Sequence, residues 1–187
     1  MDNPVVTALL EIVDLFEFNR IEYVVMGGMA VRALALPRPT NDVDLTISYP
    51  AELIPELLKS FESKFIQVPE VYKNGWLDEV DGMRLLKLKT CIDREHNVDL
   101  DIFLSESEFQ SSMLRRKIRM DVAGRTIWIV TPEDLVLLKL IADRPRDRID
   151  VADVLFIQGE LDRKYLIRWA ASLGVIDRLE SALSENK

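Results

Sequence analysis

Cysteine and histidine are nearly missing from this chain: its 187 residues include one of each, Cys91 and His96. A lone cysteine cannot close an internal disulfide or supply the thiolate pair of a zinc site. One histidine leaves little for triad or histidine-based metal chemistry. No apolar run approaches the roughly 18–20 residues of a membrane helix. The opening Met1-Asp2-Asn3-Pro4 has neither the basic stretch nor the apolar core of a signal peptide. These absences set the expectation of a cytoplasmic protein without membrane contact. A basic excess is also lacking. The net charge of −8 disfavours a general polyanion binder, since nucleic-acid domains usually carry surplus lysine and arginine. Two local clusters run the other way: Arg115-Arg116-Lys117 with Arg119, and Arg144, Arg146 and Arg148. Each reads either as solvated surface or as phosphate contacts. Repeats and low-complexity segments are absent.

What is present suits a globular fold: 48% apolar and 30% charged residues. Asn3-Pro4 reads as a helix start, a capping side chain followed by proline. Leu9, Ile12, Val13 and Phe16 then recur at helical spacing up to about Asn19. Tyr23-Val24-Val25-Met26 reads as a buried strand closed by a Gly27-Gly28 turn, and Met29–Leu36 as a helix ended by Pro37 and Pro39. Strands are expected at 42–47, 83–89, 98–104 and 125–130, with a helix around Leu57, Leu58 and Phe61. Thr131-Pro132-Glu133-Asp134 is a second strong helix start, and the pattern stays helical to the end, broken at Pro145 and Gly174. The expectation is an α+β fold: a mixed β-sheet core with flanking helices over residues 1–130, and a C-terminal helical lobe over 131–187 packed on it.

The chemistry-bearing residues begin in the first half, with Asp42 and Asp44. On a strand, Asp42 and Asp44 share one face while Val43 and Leu45 share the other. Two carboxylates about 7 Å apart repel each other unless a cation lies between them. Mg²⁺ prefers one or two carboxylates together with substrate phosphates. Gly27-Gly28, between a strand and a helix, lets backbone approach a ligand and aims helix N-terminal amides at an anion such as a triphosphate. A further acidic strand, Val98-Asp99-Leu100-Asp101-Ile102-Phe103-Leu104, places Asp99 and Asp101 on one face. An in-line phosphoryl transfer needs a base near the attacking hydroxyl, and a third carboxylate beside the first two would provide it. Lys139 stands in an otherwise apolar helical run, so its ammonium must reach water or meet an anion.

Gly27-Gly28, thirteen residues, Asp42-x-Asp44 and a later apolar-Asp-apolar strand together resemble the motif set of the polymerase-beta-like nucleotidyltransferase superfamily. Arg38-Pro39-Thr40-Asn41-Asp42 is similar to the Arg-x-Thr-x-Asp segment of its minimal, AbiEii-like bacterial members, some of them toxins of toxin–antitoxin pairs. Thr131-Pro132-Glu133-Asp134-Leu135, Lys139, and Arg144-Pro145-Arg146-Asp147 with Asp150 resemble that group's C-terminal block. The resemblance implies transfer of a nucleoside monophosphate from an NTP to an acceptor hydroxyl, with pyrophosphate released and Mg²⁺ or Mn²⁺ required. It implies Asp42, Asp44 and Asp101 as metal ligands, with Asp101 preferred to Asp99 because Ile102-Phe103 follows it. It implies Lys139 as a catalytic phosphate contact, and Gly27, Gly28, Arg38, Thr40 and Asp147 on the nucleotide side. Asp147 and Asp150, three apart on a helix, would orient Lys139 or line the acceptor site. The acceptor stays open: RNA such as a tRNA end, modified by a toxin-type enzyme with a cognate antitoxin, or a small molecule, as in antibiotic nucleotidyltransferases. A binding-only relative is the non-enzymatic alternative.

Overall fold

Asn3 opens the first helix as its side chain requires: the carboxamide oxygen accepts the Val5 amide at 3.0 Å, and α1 runs Pro4–Phe18. In this computed structural model, residues 3–62, 66–93 and 96–186 are described; Met1, Asp2 and Lys187 of the sequence reading lie outside them. Strand β1 (Glu22–Met26) turns directly into α2 (Gly27–Leu34), so the helix begins on the glycine pair itself, two residues before the expected start. Next come β2 (Asp42–Ser48), α3 (Ile54–Glu62), the short β3 (Ile66–Gln67), α4 (Glu70–Lys73), β4 (Asp78–Val80), β5 (Met83–Asp93) and β6 (His96–Leu104). After them follow α5 (Glu108–Arg116), β7 (Ile118–Val122), β8 (Arg125–Ile129) and four helices: α6 (Pro132–Ala142), α7 (Pro145–Gln158), α8 (Arg163–Ser172) and α9 (Ile176–Glu185).

The described strands form one mixed sheet in the order β3-β5-β6-β2-β1-β8-β7, with β4 paired to β5. The central pair β2–β6 is parallel and its neighbours β1–β2 and β5–β6 are antiparallel. This is the mixed-sheet architecture with flanking helices that the sequence pattern leads one to expect. Alternation along β2 and β6 sends Val43, Leu45, Val98 and Leu100 into the core and their acidic neighbours to the other face. On the apolar side Leu100 borders a hollow shared with Ala8, Ile12 and Leu15 of α1. No helix among the described residues is long and apolar enough to cross a membrane.

The helical end is tied to the sheet through α2, against which both α6 and α7 pack, and through α5, whose Phe109 ring lies 5.3 Å from that of Trp169 on α8. The Thr131 hydroxyl caps α6 by accepting the Asp134 amide at 3.2 Å, and Asp134 in turn takes the Tyr165 hydroxyl at 2.5 Å. Arg116 is not solvated surface. It lies over the Tyr165 ring and bonds Glu133 at 3.1 Å, so part of the first basic cluster holds helices together.

Candidate active site

Register decides which acids meet. In the parallel β2–β6 ladder Asp44 faces Asp101 and Asp42 faces Asp99, so four carboxylates stand on neighbouring strands about 4.8 Å apart. A cavity of about 390 Å³ opens over this ladder and includes Asp42, Asp44 and Asp101 in its wall, with Gly27, Gly28, Arg38, Thr40, Lys139 and Asp147. The structure thus gathers all nine sequence-nominated residues around one space. Asp99 borders a second hollow with Gln67, Val68, Pro69 and Lys89, which also touches Asp42, Lys87 and Asp101. Asp99 is more than half exposed and pairs with Lys89 at 3.0 Å; of the two acids on β6, Asp101 is the one that borders the glycine-lined cavity.

The glycine pair is shaped around the acids. Gly27 holds φ at +60°, and a Cβ built there would lie 1.8 Å from Oδ2 of Asp44. A Cβ on Gly28 would lie 2.3 Å from the Thr40 hydroxyl. Only bare backbone fits at either position. The Gly28 amide donates to the Asp44 carboxylate, and Thr40 donates its hydroxyl to Oδ1 of Asp42 at 2.7 Å. Thr40, expected on the nucleotide, lines the cavity with its hydroxyl turned to Asp42.

Burial, then the charges of Asp42 and Asp101, push the Asp44 carboxyl up to about 7; Lys139 and the Gly28 amide act against that rise. Packed negative charge of this kind favours a cation, and an all-carboxylate donor set is what Mg²⁺ or Mn²⁺ takes. As the side chains stand, however, no three acidic, thiol or imidazole groups among the described residues are gathered tightly enough to hold an ion. Asp42 is held by Thr40, and Asp101 is held by Lys87 at 3.0 Å. The donor chemistry fits a divalent metal; the three-way convergence read from the sequence is not formed.

Behind the cavity wall lies a buried ion network. Lys139 donates to Oδ1 of Asp147 at 2.7 Å and meets Oδ2 of Asp150 at 2.8 Å. Asp150, 1% exposed, also receives a fork from Arg38, Nε at 2.7 Å and Nη2 at 2.8 Å. Burial alone would raise the Asp150 carboxyl, but hydrogen bonds and charge from Arg38 and Lys139 hold it below the usual range. Asp147 also accepts the Arg144 amide at 3.2 Å, where it supports the start of α7. Two of the three guanidinium nitrogens of Arg38 thus face a carboxylate, and Asp147, at the cavity wall, is engaged by Lys139.

Two contributors escaped the sequence reading. Lys87 bonds Asp101 from β5. Val80, Asp81 and Met83 bring the β4–β5 hairpin to the cavity, with φ of +53° at Asp81 and +75° at Gly82. The sign for the hairpin was the Asp81-Gly82 pair between apolar residues; for Lys87 it was the polar alternation of β5 beside an acidic strand. Arg144 and Arg146 of the second basic cluster lie at the cavity, whereas Arg148 pairs with Asp143 at 2.8 Å.

Residues 7–180 match the family described as "Nucleotidyltransferase of unknown function (DUF6036)", and the chain belongs to that family. The fold is shared with solved nucleotidyltransferases at low identity. An antigenic nucleotidyltransferase-like protein from Paracoccidioides brasiliensis aligns over 98% of this chain and 94% of its own, at 19% identity and a TM-score of 0.55. The lincosamide antibiotic adenylyltransferase LnuA, solved with lincomycin, aligns over 80% of this chain and 95% of its own, at 19% identity and 0.55. ANT(2")-Ia, solved with adenylyl-2"-tobramycin, aligns over 90% and 95%, at 16% identity and 0.59. No curated protein sequence matches the chain.

Proposed function

We propose that this nucleotidyltransferase moves a nucleoside monophosphate from an NTP to an acceptor hydroxyl in the cavity between the glycine turn and the Asp42–Asp44–Asp101 ladder. The observation that carries the reading is the register of Asp44 against Asp101, with the bare backbone of Gly27 packed against the Asp44 carboxylate. Asp42, Asp44 and Asp101 would hold the divalent metal. When bound, the metal would offset charge on the reacting phosphates. The start of α2, apart from the Gly28 amide already held by Asp44, would face the polyphosphate, and Lys139, poised by Asp147 and Asp150, adds positive charge to the same wall. Asp101 accepts the proton of the acceptor hydroxyl. The acceptor oxygen bonds to the α-phosphorus as the bond to the bridging oxygen breaks, and pyrophosphate leaves.

The reading we favour for the acceptor is a small hydroxyl compound. It is supported by the net charge of −8 and by a fold shared with antibiotic adenylyltransferases. Arg144 and Arg146 at the cavity favour the second reading, RNA, in which the chain is an AbiEii-like toxin-type enzyme with an antitoxin partner. Pyrophosphate release from each of the four NTPs, with Mg²⁺ or Mn²⁺, separates these readings. It is measured with total RNA, with a panel of lincosamides and aminoglycosides, and with neither, beside the Asp42→Asn/Asp44→Asn double variant. Release that needs a small compound and vanishes in the variant supports the first reading; release that needs RNA supports the second. Metal-dependent NTP binding without release under any condition would indicate a binding-only relative, and no NTP binding would overturn the proposal.

A further inference from the structure

Each of the three acids proposed as metal ligands has a different partner. Asp44 takes a backbone amide, Asp42 takes a hydroxyl, and Asp101 alone takes a side-chain cation, the Lys87 ammonium at 3.0 Å. The pairing is built into the sheet, because Lys87 stands directly opposite Asp101 in the antiparallel β5–β6 register. Lys87 is pinned at its backbone and loose at its tip. Its amide donates to the Tyr72 hydroxyl at 3.1 Å, Tyr72 donates to Asp78 at 2.5 Å, and the ammonium side chain is 46% exposed. Lys87 also borders both hollows that meet at Asp42 and Asp101.

We propose that Lys87 is the resident counter-ion of Asp101, competing with the divalent metal for that carboxylate and swinging aside when the ligand set closes. This inference rests on the metal-dependent reading given above. It accounts for three acids that share one wall without converging. The ammonium satisfies the third carboxylate and holds it toward β5, so the nucleotide-free protein binds metal more weakly than its acids alone would allow. An exposed pair of this kind contributes little to stability, so the tip can leave at small cost once a divalent ion competes.

The test is Mn²⁺ affinity without nucleotide, read from the free-ion signal in electron paramagnetic resonance. It compares wild type, Lys87→Met, Lys87→Arg, Lys89→Met and Asp44→Asn. Lys87→Met is expected to tighten binding by about two- to fivefold, the exchange of one exposed ion pair. Lys87→Arg, which keeps a cation on Asp101, is expected to bind no tighter than wild type. Lys89→Met removes the same charge from the neighbouring Asp99 pair and is expected to tighten binding less than Lys87→Met. Equal or weaker binding in Lys87→Met overturns the proposal, as does equal tightening in Lys89→Met. Should Lys87→Met misfold by circular dichroism, Lys87→Gln carries the same expectation. Mn²⁺ binding unchanged in Asp44→Asn would instead overturn the metal reading beneath it, so the two failures are distinguishable.

Discussion

Gly27 and Asp44 are packed so closely that one methyl group cannot come between them: a Cβ on the glycine would fall 1.8 Å from the carboxylate oxygen. The positive φ of Gly27 also belongs to a region costly for side-chain-bearing residues. Gly27→Ala is therefore expected to displace Asp44 and to lower pyrophosphate release roughly a hundredfold, the scale of an ångström-sized misplacement of a reacting group. A melting curve alongside should show a loss of about 1–2 kcal/mol. Activity within twofold of wild type would mean that Asp44 is not where the chemistry happens.

Thr40 holds Asp42 by one 2.7 Å hydrogen bond. Thr40→Val keeps the shape and removes the donor. Groups that orient a metal ligand typically matter about 10–100-fold. Thr40→Val is expected near the lower end of that range in turnover, with the loss partly recovered at high Mn²⁺. Thr40→Ser, which retains the hydroxyl, should recover most of it at ordinary metal concentration. If both variants match wild type, Thr40 does not orient Asp42.

The raised Asp44 carboxyl gives metal-free protein a definite pH signature. Its folded-state value of about 7 lies above the ordinary 3.8, so the folded protein binds that proton more tightly than the unfolded chain. Its contribution to stability is fully present below about pH 4 and is lost as pH rises through about 7. In the presence of a chelator, the melting temperature of Asp44→Asn should gain on wild type from acid to about pH 8. Added Mg²⁺ should stabilise wild type more at about pH 8 than at about pH 5.5, since a proton and a metal compete for one carboxylate. A constant gap between variant and wild type across pH would rule out the buried-acid account.

Asp150 is the shared anchor of two cations, Arg38 and Lys139. Asp150→Ala leaves both short of a carboxylate in a nearly dry setting, at an expected cost of about 3–5 kcal/mol. Asp147→Asn should cost less, because Lys139 keeps Asp150. Urea unfolding of the two variants measures the order, and the reverse order would locate the anchor at Asp147.

The parts legible in the sequence are those decided locally. Asn3 and Thr131 announce their helices because a cap acts over two or three residues. Asp42, Asp44 and Asp101 are legible because strand alternation fixes their face before any partner is known. Short elements were missed: β3 has two residues and β4 three, too few for a period to register. Helix α5 was missed although Ser107 and Gln110 carry its capping-box signature. The local motif points Arg38 toward phosphate, whereas its fork lies on Asp150, 112 positions away, a distance no local pattern spans. Lys87 is hidden for a related reason, since its partner depends on the register between two strands.

The same Arg38–Asp150 tie bears on how the protein comes into being. Every proposed metal ligand has been synthesised once Asp101 is added, yet Lys139 of the cavity wall and the two carboxylates that steady it arrive only with α6 and α7. A growing chain on the ribosome would therefore carry its acids early and remain catalytically silent until α7 docks. A premature stop codon anywhere between Asp101 and Asp150 is expected to leave a product with every acid of the ladder and no turnover.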